Sequence, residues 1–80
     1  MKIIVTEEHI RKGKRRDPLN CPIALAIKKH TIWISIVGKT NIFMSNVSIE
    51  TPEKVADAIA AFDETGTMTP FEFEIDVPRT

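Results

Sequence analysis

Disulfides, nucleotide-binding loops and membrane spans are all missing from this chain of 80 residues. Its one cysteine, Cys21, cannot form a disulfide within the chain, which excludes a disulfide-stabilised scaffold and favours a reducing compartment such as the cytoplasm. Its three glycines form neither a dinucleotide fingerprint nor a nucleophile elbow. No apolar run approaches the about 18 residues that a membrane span needs, so we expect no membrane partner.

The composition is that of a folded protein. Hydrophobic residues make up 42% of the chain and charged residues 28%, a balance that disordered tails lack. The length predicts one domain over residues 1–80. Because a chain of this size buries only about 60% of the surface that its unfolded form exposes, we expect no deep active-site cleft. We therefore expect a protein that is not an enzyme and that uses no cofactor.

Charge is balanced over the whole chain but not along it. Residues 1–40 contain nine Lys and Arg residues against three Asp and Glu residues, whereas residues 41–80 contain two against eight. Either the two halves fold together and neutralise each other, or one end of the molecule is basic and meets an acidic or phosphate-bearing partner. The densest positive stretch consists of Arg11, Lys12, Lys14, Arg15 and Arg16.

Hydrophobic periodicity and capping residues predict four strands and three helices. Thr6 is placed to cap a short helix that ends at Lys12, and Gly13 is placed to leave that helix in a left-handed conformation. Asn20 is placed to cap a second helix and Thr51 a third. The strands are expected over residues 2–5, 31–37, 40–49 and 71–77.

The order of these elements is β-α-α-β-β-α-β. When the short first helix is left aside, this is the β-α-β-β-α-β pattern of ferredoxin-like domains. The pattern predicts an α+β domain of two layers, in which a four-stranded, mostly antiparallel sheet carries its helices on one face.

A hairpin turn is predicted between the second and third strands. Gly38-Lys39 fits a two-residue turn with glycine first, and counting outward from it pairs Ser35 with Ile42 and Trp33 with Met44. The turn matters because the register decides which side chains share a face of the sheet.

The two faces of this hairpin are both apolar. The face with Ile36 and Phe43 is expected to carry the helices, which leaves the other face open to water. An exposed apolar patch of this kind is typical of an interface with a second copy or a partner protein. Alternatively, a bulge or a shifted turn exchanges the two faces, or the N-terminal loop covers the patch. The residues predicted for the interface are Trp33, Val37, Ile42 and Met44.

Three residues are candidates for a metal site or a thiol–imidazole pair, namely His9, Cys21 and His30. Their spacing matches no zinc signature, so we expect no metal site. Cys21 near a helix start has either a lowered thiol pKa or the role of a small buried residue, and we favour the second. We therefore expect no catalytic residue, although an enzyme that uses Cys21 and His9 is the third hypothesis.

The basic segment is the best candidate for a binding site. It precedes the start of the second helix, where free amides and the helix dipole favour an anion, and where Asn20 is expected to lie. Arginine forks match phosphate oxygens. A solvated loop without a partner is the alternative. The residues predicted to bind an anion or a partner are Arg11, Lys12, Lys14, Arg15, Arg16 and Asn20.

Five short segments stand out near the two ends of the chain, namely VTEEHI at 5–10, a glycine at 13, CPIALAI at 21–27, FD at 62–63 and PFEFE at 70–74. On these segments, about half of the chain resembles a family of small proteins from bacteriophages and some bacteria for which no activity is established. The resemblance implies a phage-borne protein that binds and disables a host factor, as inhibitors of CRISPR complexes and sponges for immune-signalling nucleotides do. It transfers no functional residue.

Two functions are thus expected from the sequence. The first is a non-enzymatic binding protein that inhibits a host protein or ribonucleoprotein complex in the host cytoplasm, with the open sheet face available for self-association. The second is a module that binds nucleic acid or nucleotide phosphate through the basic segment 11–16.

Overall fold

The computed structural model describes residues 2–30, 35–44 and 47–75, which form a mixed α+β structure with antiparallel sheets. The α+β class is therefore confirmed. None of the helices in these three ranges is long and apolar enough to cross a membrane. The elements in chain order are β1 (Lys2–Val5), α1 (Glu7–Lys12), α2 (Pro22–His30), β2 (Ser35–Val37), β3 (Asn41–Met44), β4 (Val47–Glu50), α3 (Glu53–Thr65) and β5 (Phe71–Glu74).

Helix α1 begins and ends where its capping residues predict. The Thr6 side chain accepts the N–H of His9 at 3.3 Å, and the Thr6 N–H donates to His9 Nδ1 at 3.1 Å. This is a capping box in which histidine takes the position that Glu or Gln usually occupies. Gly13 follows with φ −69°, so the expected left-handed exit is wrong. Glycine is needed there because a Cβ would lie 2.5 Å from the Pro22 ring.

Helix α2 begins two residues later than Asn20, so the prediction that Asn20 caps it is wrong. Cys21 takes that place, and its Sγ accepts the N–H of Ala24 at 3.4 Å. Pro22 occupies the first helical position, where its missing N–H costs nothing. One face of the helix is buried, and its buried residues are Pro22, Ile23, Ala24, Ala26 and Ile27.

The strands of the described ranges form two sheets rather than one. β1 pairs with β5, and β2, β3 and β4 form a second, three-stranded sheet. The expected single sheet of four strands is therefore corrected, and the ferredoxin-like arrangement stays a prediction. The strand expected over residues 40–49 is two strands, because β3 and β4 pair in an antiparallel hairpin that sets Met44 opposite Val47.

The β2–β3 turn lies one residue further along the chain than expected. The N–H of Gly38 donates to the carbonyl oxygen of Asn41 at 2.9 Å, so the two turn residues are 39 and 40. Ser35 consequently pairs with Met44 rather than with Ile42. A turn shifted by one residue moves each partner by two, which leaves every side chain on its predicted face.

The burial of those two faces is the reverse of the prediction. Val37, Ile42 and Met44 are only 3%, 0% and 0% exposed, so their assignment to an open interface is wrong. They belong to the same buried cluster as residues of α2 and α3. Ile36 and Phe43, on the opposite face, are 46% and 50% exposed. The fourth predicted interface residue, Trp33, lies outside the described residues.

Helix α3 follows its predicted apolar stripe, since Val55, Ile59 and Phe62 are all buried. Its N-cap is Pro52, not the expected Thr51. The Thr51 hydroxyl instead donates to the Gly38 carbonyl at 2.8 Å and ties the start of α3 to the β2–β3 turn.

The alternation predicted for the last strand is present in β5. Phe73 and the following Ile75 are buried, whereas Glu72 and Glu74 are exposed. Glu72 Oε1 lies 3.2 Å from Lys2 Nζ on the neighbouring β1. This ion pair joins the basic and acidic halves of the chain at one point. Val77, the end of the predicted strand, lies outside the described residues.

Candidate binding surface

Among the cations of the basic segment, Arg15 makes the most side-chain hydrogen bonds within the described ranges. Its guanidinium donates through Nε and Nη2 to the carbonyl of Asp63 at 3.2 and 2.9 Å, and through Nη2 to the carbonyl of Glu64 at 2.8 Å. These carbonyls belong to the last turn of α3, where backbone acceptors lack helical partners and a cation is favourable. Arg15 therefore serves as a long-range cap for α3, and a ligand would compete with that role.

Arg16 anchors the same segment through its backbone. Its N–H donates to Asp63 Oδ1 at 2.8 Å, and its φ of 56° lies in the left-handed region. A non-glycine residue adopts that conformation at an energetic cost, which the contact with Asp63 offsets. The segment is thus fixed against the end of α3 and is not a solvated loop without contacts.

Asn20 is turned toward Asp17. The Asp17 carboxylate accepts the Asn20 side-chain amide at 3.1 Å and the backbone N–H groups of Leu19 and Asn20 at 3.1 and 3.2 Å. The hydrogen bond from Asn20 is the main reason why the pKa of Asp17 is below its usual value. The Asn20 amide that was expected to meet an anion is therefore already occupied by a carboxylate.

The thiol at the start of α2 is buried. Cys21 is 4% exposed, and burial raises the pKa of its thiol. Because the thiolate is the nucleophilic form, a raised pKa lowers the reactivity at neutral pH. The prediction of a small buried residue is confirmed. Its sulfur also takes up the Ala24 N–H, one of the amides that an anion would have used.

The remaining cations of the basic segment are exposed. Lys12 Nζ pairs with Glu8 Oε1 at 2.9 Å across one turn of α1. Within the described ranges, the side chains of Arg11, Lys14 and Arg16 make no ion pair or hydrogen bond. Binding of a partner by Arg11, Lys12, Lys14 and Arg16 stays a prediction.

Packing of α1 on α2 brings Lys29 of α2 close to residues of α1. Burial is the main cause that lowers the pKa of His9, and the charge of Lys29 lowers it further. The hydrogen bond from Lys12 lowers the pKa of Glu8, to which Arg11 and Lys29 also contribute. We call the group formed by Arg11, Lys12 and Lys29 the basic surface. Sequence reasoning treated residues 28–30 only as a helix end and missed this grouping, since it depends on tertiary packing.

Ile36 and Phe43 make a small apolar patch on the outer face of the second sheet. The two residues are directly opposite each other on β2 and β3, and the next residue across, Ser48 on β4, is polar. Half-exposed apolar side chains are ordinary on a protein of this size when they occur as a single pair.

A metal centre is not formed in the part of the chain that the structure describes, where no three His, Cys, Asp or Glu residues come together. His9 and Cys21 each bond a backbone N–H of their own helix start instead. The exposed cations of the described residues include Arg11 and Lys12 on α1 and Lys28 and Lys29 on α2.

Comparisons with protein-family models, with curated proteins and with solved structures all found no match. The bacteriophage resemblance consequently stays a prediction. The case for function rests on the geometry described above.

Proposed function

We propose that this chain is a non-enzymatic binding protein that acts by stoichiometric contact, with the basic surface of α1 and α2 as its contact region. The observation that carries the proposal is the gathering of Arg11, Lys12 and Lys29 around Glu8, where Lys12 Nζ lies 2.9 Å from Glu8 Oε1. Clustered cations raise the local positive potential and steer a negatively charged partner toward that surface.

The proposal includes that the protein catalyses no reaction. The positions of Cys21, the candidate nucleophile, and His9, the candidate base, support this. Cys21 is buried with a raised pKa, and His9 is held by the N–H of Thr6. A nucleophile and a base should lie within hydrogen-bond reach of each other, yet each of these residues is bonded to its own helix start.

The partner that we propose is a host protein or ribonucleoprotein complex with an acidic face. The resemblance to small bacteriophage proteins supports this partner, because such proteins disable host factors, including defence systems, by occupying them. A phage-borne inhibitor of this type would act in the host cytoplasm.

Binding of nucleic acid or nucleotide phosphate through the basic segment is the less favoured function. A phosphate placed there would compete with the three hydrogen bonds from Arg15 to the end of α3. It would also find the Ala24 amide engaged by Cys21. The exposed cations that remain in the segment are Arg11, Lys12, Lys14 and Arg16, of which the first two are shared with the basic surface. A nucleic acid would be bound there by charge without base recognition.

Charge reversal on the basic surface tests the proposal. We expect Lys29→Glu and Arg11→Glu each to abolish capture of a host partner from lysate, because each puts a negative charge where the acidic partner docks. Lys39→Glu is the matched control, since Lys39 is an exposed lysine on the β2–β3 turn. The bound material is quantified by mass spectrometry with and without nuclease.

The proposal predicts a captured protein that resists nuclease, is retained by Lys39→Glu and is lost with Lys29→Glu. Equal retention by all three variants would contradict the role of the basic surface. Loss of the captured material after nuclease treatment would favour the nucleic-acid alternative.

A further inference from the structure

Helix α1 is the least anchored helix of the described residues. It has six residues and none of them is buried, whereas α3 buries three residues and α2 buries five. Its one hydrophobic residue, Ile10, is only partly buried against the core. Isolated helices shorter than about 12 residues are marginal in water, so α1 depends on its caps and on its contact with α2. A segment with so few buried apolar contacts can open while the rest of the fold stays intact.

One capping interaction at the start of α1 requires a neutral histidine. His9 Nδ1 accepts the Thr6 N–H at 3.1 Å, while the His9 N–H donates to the Thr6 hydroxyl oxygen at 3.3 Å. A protonated imidazole carries an N–H at both nitrogens and accepts no hydrogen bond. Protonation would therefore set two N–H donors against each other and take this acceptor away from Thr6. The glutamate or glutamine that usually fills this position keeps its acceptor near neutral pH.

Most of the surroundings of His9 oppose its protonation while α1 is packed on α2. Burial is the largest cause that lowers the pKa of His9, and the charge of Lys29 is the next. His30 on α2 and Lys12 on α1 also lower this pKa, whereas Glu8 raises it. The dipole of α1 acts in the same direction as the cations, because its positive end lies at this turn. His9 therefore binds a proton more readily once α1 has left α2.

This difference in proton affinity couples the position of α1 to pH. Above about pH 6.5 the ring is neutral in both the packed and the open form, so pH does not shift the balance between them through His9. As pH falls below that value, each pH unit favours the open form by up to about tenfold, until the lowered pKa of the packed form is reached. The coupling therefore acts at mildly acidic pH.

We propose that α1 is a pH-sensitive element, in which a proton on His9 releases α1 from α2 while the rest of the fold stays intact. Release separates Arg11 and Lys12 from Lys29 and so disperses the basic surface. The resulting loss of partner binding at mildly acidic pH rests on the proposed function. The release itself does not, because it follows from the cap and the packing of α1. The two proposals can therefore fail independently.

Amide hydrogen exchange, measured by NMR between about pH 7.5 and 5, tests the release on the protein alone, without any partner. The Ile10 N–H donates to the Thr6 carbonyl at 3.1 Å, and the Gly13 N–H donates to the His9 carbonyl at 2.8 Å, so both amides report on α1. We expect the protection of both, corrected for intrinsic exchange, to be constant above about pH 6.5. Below it we expect protection to fall several-fold, by at most about tenfold per pH unit.

Two histidine variants and one amide of α2 are the controls. We expect His9→Gln to keep constant protection at α1 over the whole range, because glutamine fills the capping position without titrating. His30→Gln is the matched variant, since it removes the only other histidine of the chain and leaves the cap in place, and it should follow the wild type. The Leu25 N–H, which donates to the Cys21 carbonyl at 3.0 Å within α2, should keep its protection in all three proteins.

The proposal is overturned if α1 loses protection equally in the wild type and in His9→Gln. It is also overturned if Leu25 loses as much protection as Ile10, since the opening would then involve more than α1. Should His9→Gln not fold, His9→Glu takes its place, because glutamate fills the same capping position and stays ionised over this range.

Discussion

Several residues that suggest chemistry in the sequence serve helix ends in the structure. His9 Nδ1 accepts the Thr6 N–H at the start of α1, and Cys21 Sγ accepts the Ala24 N–H at the start of α2. Arg15 donates to the carbonyls at the end of α3. Each helix end leaves backbone groups without helical partners, and in a small domain a few side chains must satisfy them. Residue type alone therefore overstates the number of functional groups.

The capping role of His9 makes stability depend on pH. Nδ1 can accept the Thr6 N–H only when it carries no proton, and burial followed by the charge of Lys29 lowers the pKa of His9 below its usual 6.5. Because the unfolded chain binds the proton more readily, the contribution of His9 to stability is complete above about pH 6.5 and is lost as pH falls from there through the lowered pKa.

His9→Gln is the matched variant, because glutamine fills the same capping-box position without titrating. We expect the difference in urea midpoint between wild type and His9→Gln to be constant above about pH 6.5. Below that pH, we expect the midpoint of the wild type to fall relative to that of His9→Gln. Glu8, Lys12, Lys29 and His30 surround position 9 in both proteins, so the two differ only in the side chain at that position. A parallel loss of stability in the two proteins would show that His9 has no such role.

At the scale of elements, a clear hydrophobic periodicity predicts the bounds and the buried face of a helix or strand. Segments that are apolar on both faces do not allow such a prediction. The bounds of β1 and α1 match the prediction, and the buried stripe of α3 is confirmed at Val55, Ile59 and Phe62. The segment 40–49 is divided into β3 and β4 without a glycine or proline to mark the break. The β2–β3 turn is displaced by one residue because the Gly38 N–H pairs with Asn41.

The end of α3 depends on a residue far away in the sequence. We expect Arg15→Met to lower the free energy of unfolding by about 1 kcal/mol, because three exposed hydrogen bonds to the carbonyls of Asp63 and Glu64 are lost. Arg11→Met removes an equally exposed guanidinium and should change stability by less than about 0.5 kcal/mol. Urea unfolding followed by circular dichroism measures both. Equal effects in the two variants would mean that Arg15 does not cap α3.

At the scale of the whole molecule, the sequence indicates which side chains share a face but not which face is buried. The two sides of the β2–β3 hairpin are similarly apolar, so local pattern has no preference between them. The core that α2 and α3 complete takes in Val37, Ile42 and Met44. The basic surface has the same origin, since it exists only after α1 packs on α2. Tertiary packing decides both the buried face of the hairpin and the grouping of the basic surface. Local periodicity does not encode it.

Substitution of two neighbouring residues on β3 tests which face of the β2–β3 hairpin is buried. Ile42 is 0% exposed and Phe43 is 50% exposed, although the two are adjacent on β3. We expect Ile42→Ala to cost about 2–5 kcal/mol, since it leaves a cavity in the core, and Phe43→Ala to cost less than about 1 kcal/mol despite the larger side chain removed.

Since the total stability of small domains is only about 5–15 kcal/mol, Ile42→Ala brings this protein close to unfolding. Ile42→Val, with an expected cost of about 0.5–1.5 kcal/mol, is the milder variant in case the alanine variant does not fold. Urea unfolding at 25 °C measures all three variants. A loss of about 3–5 kcal/mol for Phe43→Ala, the range of a buried phenylalanine, would mean that the Ile36–Phe43 face packs against the helices, as its sequence pattern predicted, and that Val37, Ile42 and Met44 form the open face.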